Sequence, residues 1–396
     1  MQMPDALRSF IQAHAGDDLS DLLLSATRYP EVDIPFAVEQ IAIRRRIREK
    51  LPAWYADDRL LFPSKIAAEQ CSSEQTACYK QRLLNSEKHL CDLTGGLGID
   101  TCYFAQKVEQ VTYVERSTRC FDVAMHNFSV LCAGNITGYN ETAEDVLEKI
   151  GSVDVFYLDP ARRKDGHARV FALADCEPDL VKLLPVLLCK APKVIAKLSP
   201  MLDIRHTLAL LPETAEVHVV SVKNECKELL FVLKREKEMP EPPVYCVNDT
   251  ASGTEQFFRF RLSDERANVS SLSPSVRTYL YEPNVSILKA GAYKQTALQM
   301  GVDKLHASSH LYTSDRLVAN FPGRIFRVEE VIPFHGKCCK TIARHIPFAN
   351  LSVRNFPLSV AELRKRTGIA DGGEIYLFAT TLADNEKVLI RCRKNQ

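Results

Sequence analysis

A glycine-rich stretch early in the chain constrains the fold more than any other feature. It runs from Asp92 to Gly98 and includes Gly95 and Gly96. A short apolar run precedes it and a helical pattern of apolar residues follows it, which is the strand, loop and helix order of a parallel α/β unit. The Gly-x-Gly-x-x-Gly spacing of dinucleotide-binding loops is not met, because Thr101 occupies the third glycine position. The stretch therefore predicts a strand and a loop that receive a ligand other than a dinucleotide.

Acidic residues further along the chain extend this prediction. Glu115 ends the next apolar strand, where a carboxylate can accept hydrogen bonds from both hydroxyls of a ribose. Ala143 and Glu144 follow a third strand and are expected beside an adenine ring, which Ala143 would contact through its backbone. Glu144 or Asp145 could instead cap a helix that starts at Val146. With the glycine loop, these positions indicate a nucleoside ligand without a phosphate, namely S-adenosylmethionine.

The loop after the fourth predicted strand carries the candidate catalytic residues. It begins with Asp159 and Pro160, and Arg162, Arg163 and Lys164 follow. Ligands of open α/β sheets bind at the carboxyl ends of the strands. We therefore expect Asp159, Pro160 and Arg162 to be catalytic, with Asp159 receiving a proton from the methyl acceptor. Arg162, Arg163 and Lys164 are expected to contact phosphate or a base. The alternative for Asp159 is a helix cap.

Further apolar runs complete the pattern of a doubly wound sheet. Counted together, they predict seven strands, of which the last two form a hairpin. The segment from about Leu83 to Lys234 resembles a class I S-adenosylmethionine-dependent methyltransferase, because Asp92 to Gly98 matches the glycine-rich motif and Glu115 matches the ribose-binding acid. The resemblance implies a Rossmann-like α/β fold with S-adenosylmethionine as the cofactor. The implied cofactor-binding residues are Asp92, Thr94, Gly95, Gly96, Gly98, Glu115, Ala143, Glu144 and Asp159.

The same resemblance bears on the type of methyl transfer. Amine-methylating relatives carry Asp or Asn, two prolines and an aromatic residue after the fourth strand, whereas Ala161 and Arg162 occupy the last two positions here. The loop also resembles the Asp-Pro-Pro-Arg of uracil-5-methylating RNA enzymes, which attack the base with a cysteine from a later Ser-Cys-Asn-Pro motif. This chain has Lys197 to Pro200 at that place, and its nearest thiol, Cys189, precedes the strand. The resemblance therefore implies direct transfer to nitrogen or oxygen.

Composition excludes several other classes of protein. No apolar run is long enough to span a bilayer, and the first residues lack the pattern of a signal peptide. The 13 cysteines show no paired metal-binding spacing, which predicts neither zinc nor structural disulfides and favours a reducing, cytoplasmic location. We expect no metal and no membrane partner, and the sequence leaves the oligomeric state open.

Positive charge is concentrated in three places although the formal net charge is only +1. The clusters are Arg44–Arg46, Arg364–Arg366 and Arg391–Lys394. Each cluster could contact the phosphates of a nucleic acid, or could be a solvated face of its element.

The chain divides into four predicted parts at a charged, proline-rich connector and at changes of pattern. They are an N-terminal helical region (residues 1–84), the methyltransferase domain (85–235), a small ferredoxin-like domain (245–322) and a THUMP-like domain (323–396). The last two form a C-terminal α+β module, whose strand and helix order, shortness and basic character resemble the THUMP-type RNA-binding module.

Local signals predict several element boundaries. Ser72 with Gln75 and Ser359 with Glu362 have the spacing of helix capping boxes. Helices are also predicted around residues 276–280 and 290–300. The resemblance as a whole implies an enzyme that methylates a base of a structured RNA, either tRNA or rRNA, without a covalent cysteine intermediate. The alternatives are a nucleic-acid-binding protein with a weak or inactive methyltransferase fold, and an enzyme that methylates a small metabolite or a protein.

Overall fold

The computed structural model describes residues 4–162 and 173–395. Arg163 and Lys164, which were predicted to contact phosphate or a base, lie outside the described residues. The chain forms two compact units. The first consists of Met1–Val217 and Lys227–Pro240, and the second of His218–Cys226 and Glu241–Gln396.

The first unit begins with helices, as the sequence predicts for residues 1–84. They are α1 (Asp5–Ala13), α2 (Leu19–Leu24), α3 (Ile34–Ile47), α4 (Pro52–Ala56), α5 (Lys65–Gln70) and α6 (Glu74–Gln81). Ser73 rather than Ser72 caps α6, since its hydroxyl accepts a hydrogen bond from the backbone N–H of Thr76. The predicted capping box of Ser72 and Gln75 was therefore wrong by one residue.

Strands and helices then alternate through the rest of the first unit. They are β1 (His89–Asp92), α7 (Ile99–Ala105), β2 (Gln110–Val114), α8 (Thr118–Val130), β3 (Ile136–Tyr139), α9 (Ala143–Lys149), β4 (Val155–Leu158), β5 (Ala161–Arg162), β6 (Cys176–Glu177), α10 (Leu180–Lys190), β7 (Lys193–Leu198), α11 (Ile204–Leu210), β8 (Thr214–Val222) and β9 (Glu225–Lys234). The tip of the β8–β9 hairpin belongs to the second unit.

The sheet of the first unit has the strand order β3-β2-β1-β4-β7-β9-β8. All neighbours from β3 to β7 are parallel, and β9 pairs antiparallel with β7. The order reverses at β1 and β4, and such a switch point leaves a crevice at the carboxyl ends of the strands. The predicted Rossmann-like sheet with a terminal hairpin is confirmed.

A buried apolar cluster joins the N-terminal helices to this sheet. Trp54 and Phe62 from the helical region pack in one cluster with Leu97, Tyr113 and Phe128. These side chains are almost completely excluded from water. The helical region is therefore part of the wall that surrounds the glycine loop.

The second unit contains the remaining elements. They are β10 (Val244–Asp249), β11 (Glu255–Phe260), α12 (Leu262–Ala267), β12 (Tyr279–Pro283), α13 (Val285–Ala290), α14 (Tyr293–Met300), β13 (Asp303–Lys304), β14 (Tyr312–Ser314), β15 (Gly323–Pro333), α15 (Gly336–His345), β16 (Asn350–Arg354), α16 (Val360–Thr367), β17 (Ile375–Thr381) and β18 (Lys387–Lys394). Seven of these strands form one sheet in the order β13-β14-β12-β15-β18-β17-β16.

One prediction for the second unit was wrong and two are confirmed. Residues 279–283 form strand β12 rather than a helix, because they pair with both β14 and β15. The helix predicted around residues 290–300 is α14, which begins at Tyr293, after α13 has ended at Ala290 and Gly291 has capped it with a φ of +74°. Ser359 and Glu362 form the predicted capping box of α16. Among the described residues, no helix is long and apolar enough to cross a membrane.

The N-terminal arginine cluster is largely used within the fold. Arg44 is 8% exposed and donates hydrogen bonds to the backbone carbonyls of Tyr55, Asp57 and Leu60 at 3.2, 3.0 and 2.8 Å. Arg45 donates to two carbonyls before α2, and Arg46 pairs with Glu69 at the surface. Arg44 is thus unavailable for the predicted phosphate contact.

Replacing Arg44 should destabilise the protein strongly. In Arg44→Met, three carbonyls lose a charged donor, and we expect the free energy of unfolding to fall by about 2 to 4 kcal/mol. Arg46→Met is the matched control on the same helix, and its exposed ion pair should contribute less than about 1 kcal/mol. Urea denaturation of both variants tests this, and equal losses would contradict the structural role of Arg44.

Candidate functional site

A cavity of about 320 Å³ lies at the carboxyl ends of the strands in the first unit. The predicted site residues on its wall are Asp92, Thr94, Gly95, Gly96, Glu115, Ala143, Glu144 and Asp159. They lie at or just after the carboxyl ends of β1, β2 and β4 and at the start of α9, which follows β3. They therefore surround the crevice that the strand order creates. The cavity wall does not include Gly98 or Pro160.

Close packing explains the glycines of the loop. A Cβ atom on Gly95 would lie 2.0 Å from the ring of Tyr113, whose hydroxyl donates a hydrogen bond to the Gly96 carbonyl at 2.6 Å. Gly98 caps α7 with a φ of +82°, and a Cβ there would lie 2.6 Å from the Phe128 ring. Gly98 therefore shapes the loop from behind, while Gly95 and Gly96 present bare backbone to the cavity.

Asp92 and Thr94 hold the start of this loop. The buried Asp92 carboxylate accepts hydrogen bonds from the Thr94 backbone N–H at 3.1 Å and the Thr101 hydroxyl at 2.6 Å. The Thr94 hydroxyl oxygen accepts a hydrogen bond from the backbone N–H of Asp159 at 2.6 Å. The loops after β1 and β4 are thereby fixed to each other.

Glu115 is oriented by backbone donors on both sides. One carboxylate oxygen accepts from the Gly96 N–H at 2.9 Å, and the other accepts from the Ser117 N–H at 2.6 Å. Each oxygen retains a second lone pair for a further donor. The arrangement suits recognition of a vicinal diol, as in a ribose.

The third loop places a helix start against the cavity. Helix α9 begins at Ala143, and Thr142 is its cap, accepting from the Asp145 N–H at 3.2 Å. The alternative in which Glu144 or Asp145 caps a helix from Val146 is therefore not observed. Ala143 and Glu144 remain on the cavity wall.

Asp159 faces the cavity and is not a helix cap. The next α-helix in the described residues is α10, which Asp179 caps. The Asp159 side chain is 34% exposed, and its Oδ2 atom accepts a hydrogen bond from the ammonium of Lys197. Arg162 lies in the short strand β5, which pairs antiparallel with β6.

Several polar residues of the site were missed by the sequence analysis. Ser72, Asp100 and Tyr157 line the cavity, and Asp100 accepts hydrogen bonds from the Ser72 and Tyr157 hydroxyls at 2.7 and 2.8 Å. Lys197, which the sequence analysis did not select as a site residue, is mostly buried. The sequence does contain a signal for Lys197, which is a lysine within an otherwise apolar strand. A lysine is rarely buried there unless it is paired with an acid, so the position indicates a buried ion pair.

Thiols also lie closer to the site than predicted. Cys71 and Cys120 line the cavity, whereas Cys189 is exposed on α10. Burial raises the pKa of the Cys71 thiol, and this disfavours the thiolate that nucleophilic attack requires.

The buried carboxyl group of Asp92 predicts a pH dependence of stability. Burial is the main reason that its pKa is raised to about 7. Between the unfolded pKa near 4 and pH 7, the folded wild type binds the proton more tightly, so its stability should fall as pH rises. Asp92→Asn cannot ionise, and its stability relative to wild type should therefore rise by more than about 1 kcal/mol across this window. Urea denaturation of the cofactor-free proteins at several pH values measures the difference, and a difference independent of pH would contradict it.

Comparisons with known proteins identify both units. One family model, described as a ferredoxin-like domain, matches residues 279–322, and another, described as THUMP domain-like, matches residues 323–394. No curated protein matches the chain. The crystal structure of a "putative methyltransferase" from Porphyromonas gingivalis W83 is 37% identical over 100% of both chains, with a TM-score of 0.90.

Two other solved structures match only part of the chain. An rRNA methylase from Streptococcus thermophilus is 12% identical over 40% of this chain and 93% of its own, with a TM-score of 0.31. A "putative methyltransferase" from Streptococcus mutans, solved in complex with SAH, is 11% identical over 41% of this chain and 96% of its own, with a TM-score of 0.32. These two matches are too distant to carry an argument about function.

The full-length match and the THUMP-like domain agree with the fold and the motifs described above. The chain therefore belongs to the family of the Porphyromonas gingivalis protein, which is that of the class I S-adenosylmethionine-dependent methyltransferases with a THUMP-like C-terminal domain.

Proposed function

We propose that this protein methylates a structured RNA, tRNA or rRNA, in the cytoplasm, using S-adenosylmethionine as the methyl donor. The observation that carries the proposal is the single cavity on which the glycine loop, Glu115, Ala143 and Asp159 meet. Its wall offers bare backbone, a carboxylate held for a diol and a second carboxylate for a proton. These features fit a nucleoside-bearing donor beside a reacting group.

Each residue of the cavity would have a distinct role in cofactor binding or methyl transfer. Asp92, Thr94 and the glycines hold the donor loop, Glu115 accepts from the ribose hydroxyls, and Ala143 with Glu144 lies beside the adenine. S-adenosylmethionine supplies an electrophilic methyl group when bound. Asp159 receives the proton of the acceptor, with Pro160 and Arg162 completing its loop.

Direct transfer is favoured over a covalent intermediate. The position where uracil-5-methylating enzymes carry their cysteine is occupied by Leu198, and the Cys71 thiol on the cavity wall has a raised pKa. Direct transfer needs only alignment of donor and acceptor and a proton acceptor. The sequence favours a base as the acceptor, although nitrogen and oxygen nucleophiles both satisfy this chemistry.

The role of RNA rests on the THUMP-like domain and on the charges that remain exposed there. In the Arg364–Arg366 cluster, Arg364 pairs with Asp371 and donates to the carbonyls of Ile369 and Ala349. Lys365 and Arg366 are exposed on α16. These two residues, rather than Arg364, are the candidates for phosphate contact.

The test of the proposal is cofactor binding together with transfer. Calorimetry should give saturable one-site binding of S-adenosylmethionine, and tritium from the labelled cofactor should enter total RNA from cells lacking the protein.

Glu115→Ala should weaken cofactor binding by about 1.5 to 3 kcal/mol, because a charged acceptor is lost. Glu109→Ala removes an exposed acid before the other end of β2 and should leave binding unchanged. Equal affinity of wild type and Glu115→Ala would overturn the ribose assignment, while binding without transfer would favour a nucleic-acid-binding protein.

Exposed cations on α16 give a separate prediction for RNA binding. Changing Lys365 and Arg366 together to Ala should weaken binding of the labelled RNA and reduce its dependence on salt, by up to about two in the slope of log K against log salt. Arg364→Ala should instead lower the melting temperature, because its contacts are internal. An unchanged salt slope in the folded double variant would place the RNA elsewhere.

A further inference from the structure

Five charged residues form one group at the cavity wall, which Asp100 and Asp159 line, and beneath it. They are Lys80 on α6, Asp100 on α7, Asp159 after β4, Lys197 on β7 and Glu228 on β9. The Lys80 side chain is fully buried, and the Glu228 side chain is 2% exposed. Charged groups are rarely buried at such depth unless each is paired.

Lys80 is paired with two carboxylates of this group and with the Ser72 hydroxyl. Its ammonium lies 3.1 Å from Asp100 Oδ1 and 3.0 Å from Glu228 Oε2, and it donates to the Ser72 hydroxyl at 2.9 Å. An ammonium has three protons to donate. Lys80 therefore anchors Asp100 and Glu228 and has no donor left for Asp159.

Lys197 does not line the cavity but contacts Asp159, which does. Its side chain is 16% exposed, and its ammonium donates to Asp159 Oδ2. Burial alone would lower the pKa of Lys197, yet the nearby carboxylates of Asp159, Glu228 and Asp100 raise it overall. Lys197 is thus a cation at neutral pH. It contacts the Asp159 carboxylate and interacts with the carboxylates of Asp100 and Glu228.

We propose that Lys197 is a positioning residue for methyl transfer, which holds the Asp159 carboxylate by its Oδ2 atom and so turns Oδ1 towards the acceptor. This inference rests on the proposed role of Asp159. In the transfer, a lone pair of the acceptor forms a bond to the methyl carbon as the carbon–sulfur bond breaks. The electron pair of that bond stays on sulfur, and the proton of the acceptor passes to Asp159 Oδ1.

The charged neighbours of Asp159 indicate that the pH dependence of the reaction rate will test the role of Lys197. The ionisable groups that interact with Asp159 are Lys197, Asp92 and Tyr157, while Asp100 and Glu228 interact with Lys197. Lys197 is the cation among them in direct contact with Asp159, and removing an adjacent cation disfavours the ionised form of a carboxyl group. Loss of the ammonium should therefore move the acidic limb of the pH–rate profile to higher pH.

The experiment compares kcat across pH for wild type, Lys197→Met and Lys197→Arg, with tritium transfer from S-adenosylmethionine to total RNA from cells lacking the protein. In Lys197→Met, we expect kcat at pH 7 to fall about 10- to 100-fold, and the midpoint of the acidic limb to rise by at least about one pH unit. The dissociation constant of S-adenosylmethionine should stay within about threefold, because Lys197 does not line the cavity. Lys197→Arg should keep the midpoint and recover part of the rate.

Lys193→Met is the matched control. Lys193 is a buried lysine at the opposite end of the same strand, and it pairs with Glu87 at 2.7 Å. Its loss should lower stability without moving the midpoint. If Lys197→Met does not fold, Lys197→Gln preserves a neutral donor and should show the same shift of the acidic limb.

The outcomes separate this inference from the proposed function. An active wild type, an inactive Asp159→Asn and an unmoved midpoint in Lys197→Met or Lys197→Gln would overturn the role of Lys197 alone. Full activity of Asp159→Asn, or no transfer to RNA by the wild type, would overturn the proposed function itself.

Discussion

The hydrogen bond from the Asp159 backbone N–H to the Thr94 hydroxyl is the contact on which the site depends. It joins two loops that are 65 residues apart in the chain. Thr94 is held in turn by Asp92, which Thr101 fixes from the start of α7. Through this chain of bonds, the loop proposed to hold the cofactor and the loop proposed to receive the proton form one wall. A displacement of either loop would be transmitted to the other, so the proposed cofactor binding and proton transfer would be coupled through this hydrogen bond.

Burial of charge beside this wall works against stability. Removing an ion from water is unfavourable by several kcal/mol even after relaxation, and a buried ion pair is often no more stabilising than apolar residues of the same volume. Lys80, Asp100 and Glu228 nevertheless occupy such positions, joined by short contacts. Their retention is more readily explained by what they hold in place than by the stability they contribute. The same reasoning applies to Asp92, whose burial raises its pKa to about 7.

Local patterns in the sequence predicted the parts of the site that are local in the chain. The glycine loop, Glu115 and the order of the strands each depend on residues close together in sequence, and the structure brings them to one cavity. The pairing of Lys80 with Glu228 spans 148 residues, and no periodicity or motif encodes such a contact. Capping was predicted correctly at Ser359, where both halves of the box are present, but not at Ser72, whose hydroxyl binds Asp100 instead. The strand at residues 279–283 was missed because its pairing partners lie far along the chain.

Strand pairing also joins the ferredoxin-like and THUMP-like segments into one sheet. The ferredoxin-like match ends at residue 322 and the THUMP-like match begins at residue 323, yet β12 from the first pairs with β15 from the second along its whole length. Backbone hydrogen bonds and the shared apolar core, in which Leu280 packs with Phe326 and Phe378, continue across the boundary. Cutting the chain there would leave an unpaired strand edge on both pieces, which favours aggregation. The two matched segments are therefore expected to fold together, and any surface that the THUMP-like domain presents to RNA is braced by the ferredoxin-like segment beside it.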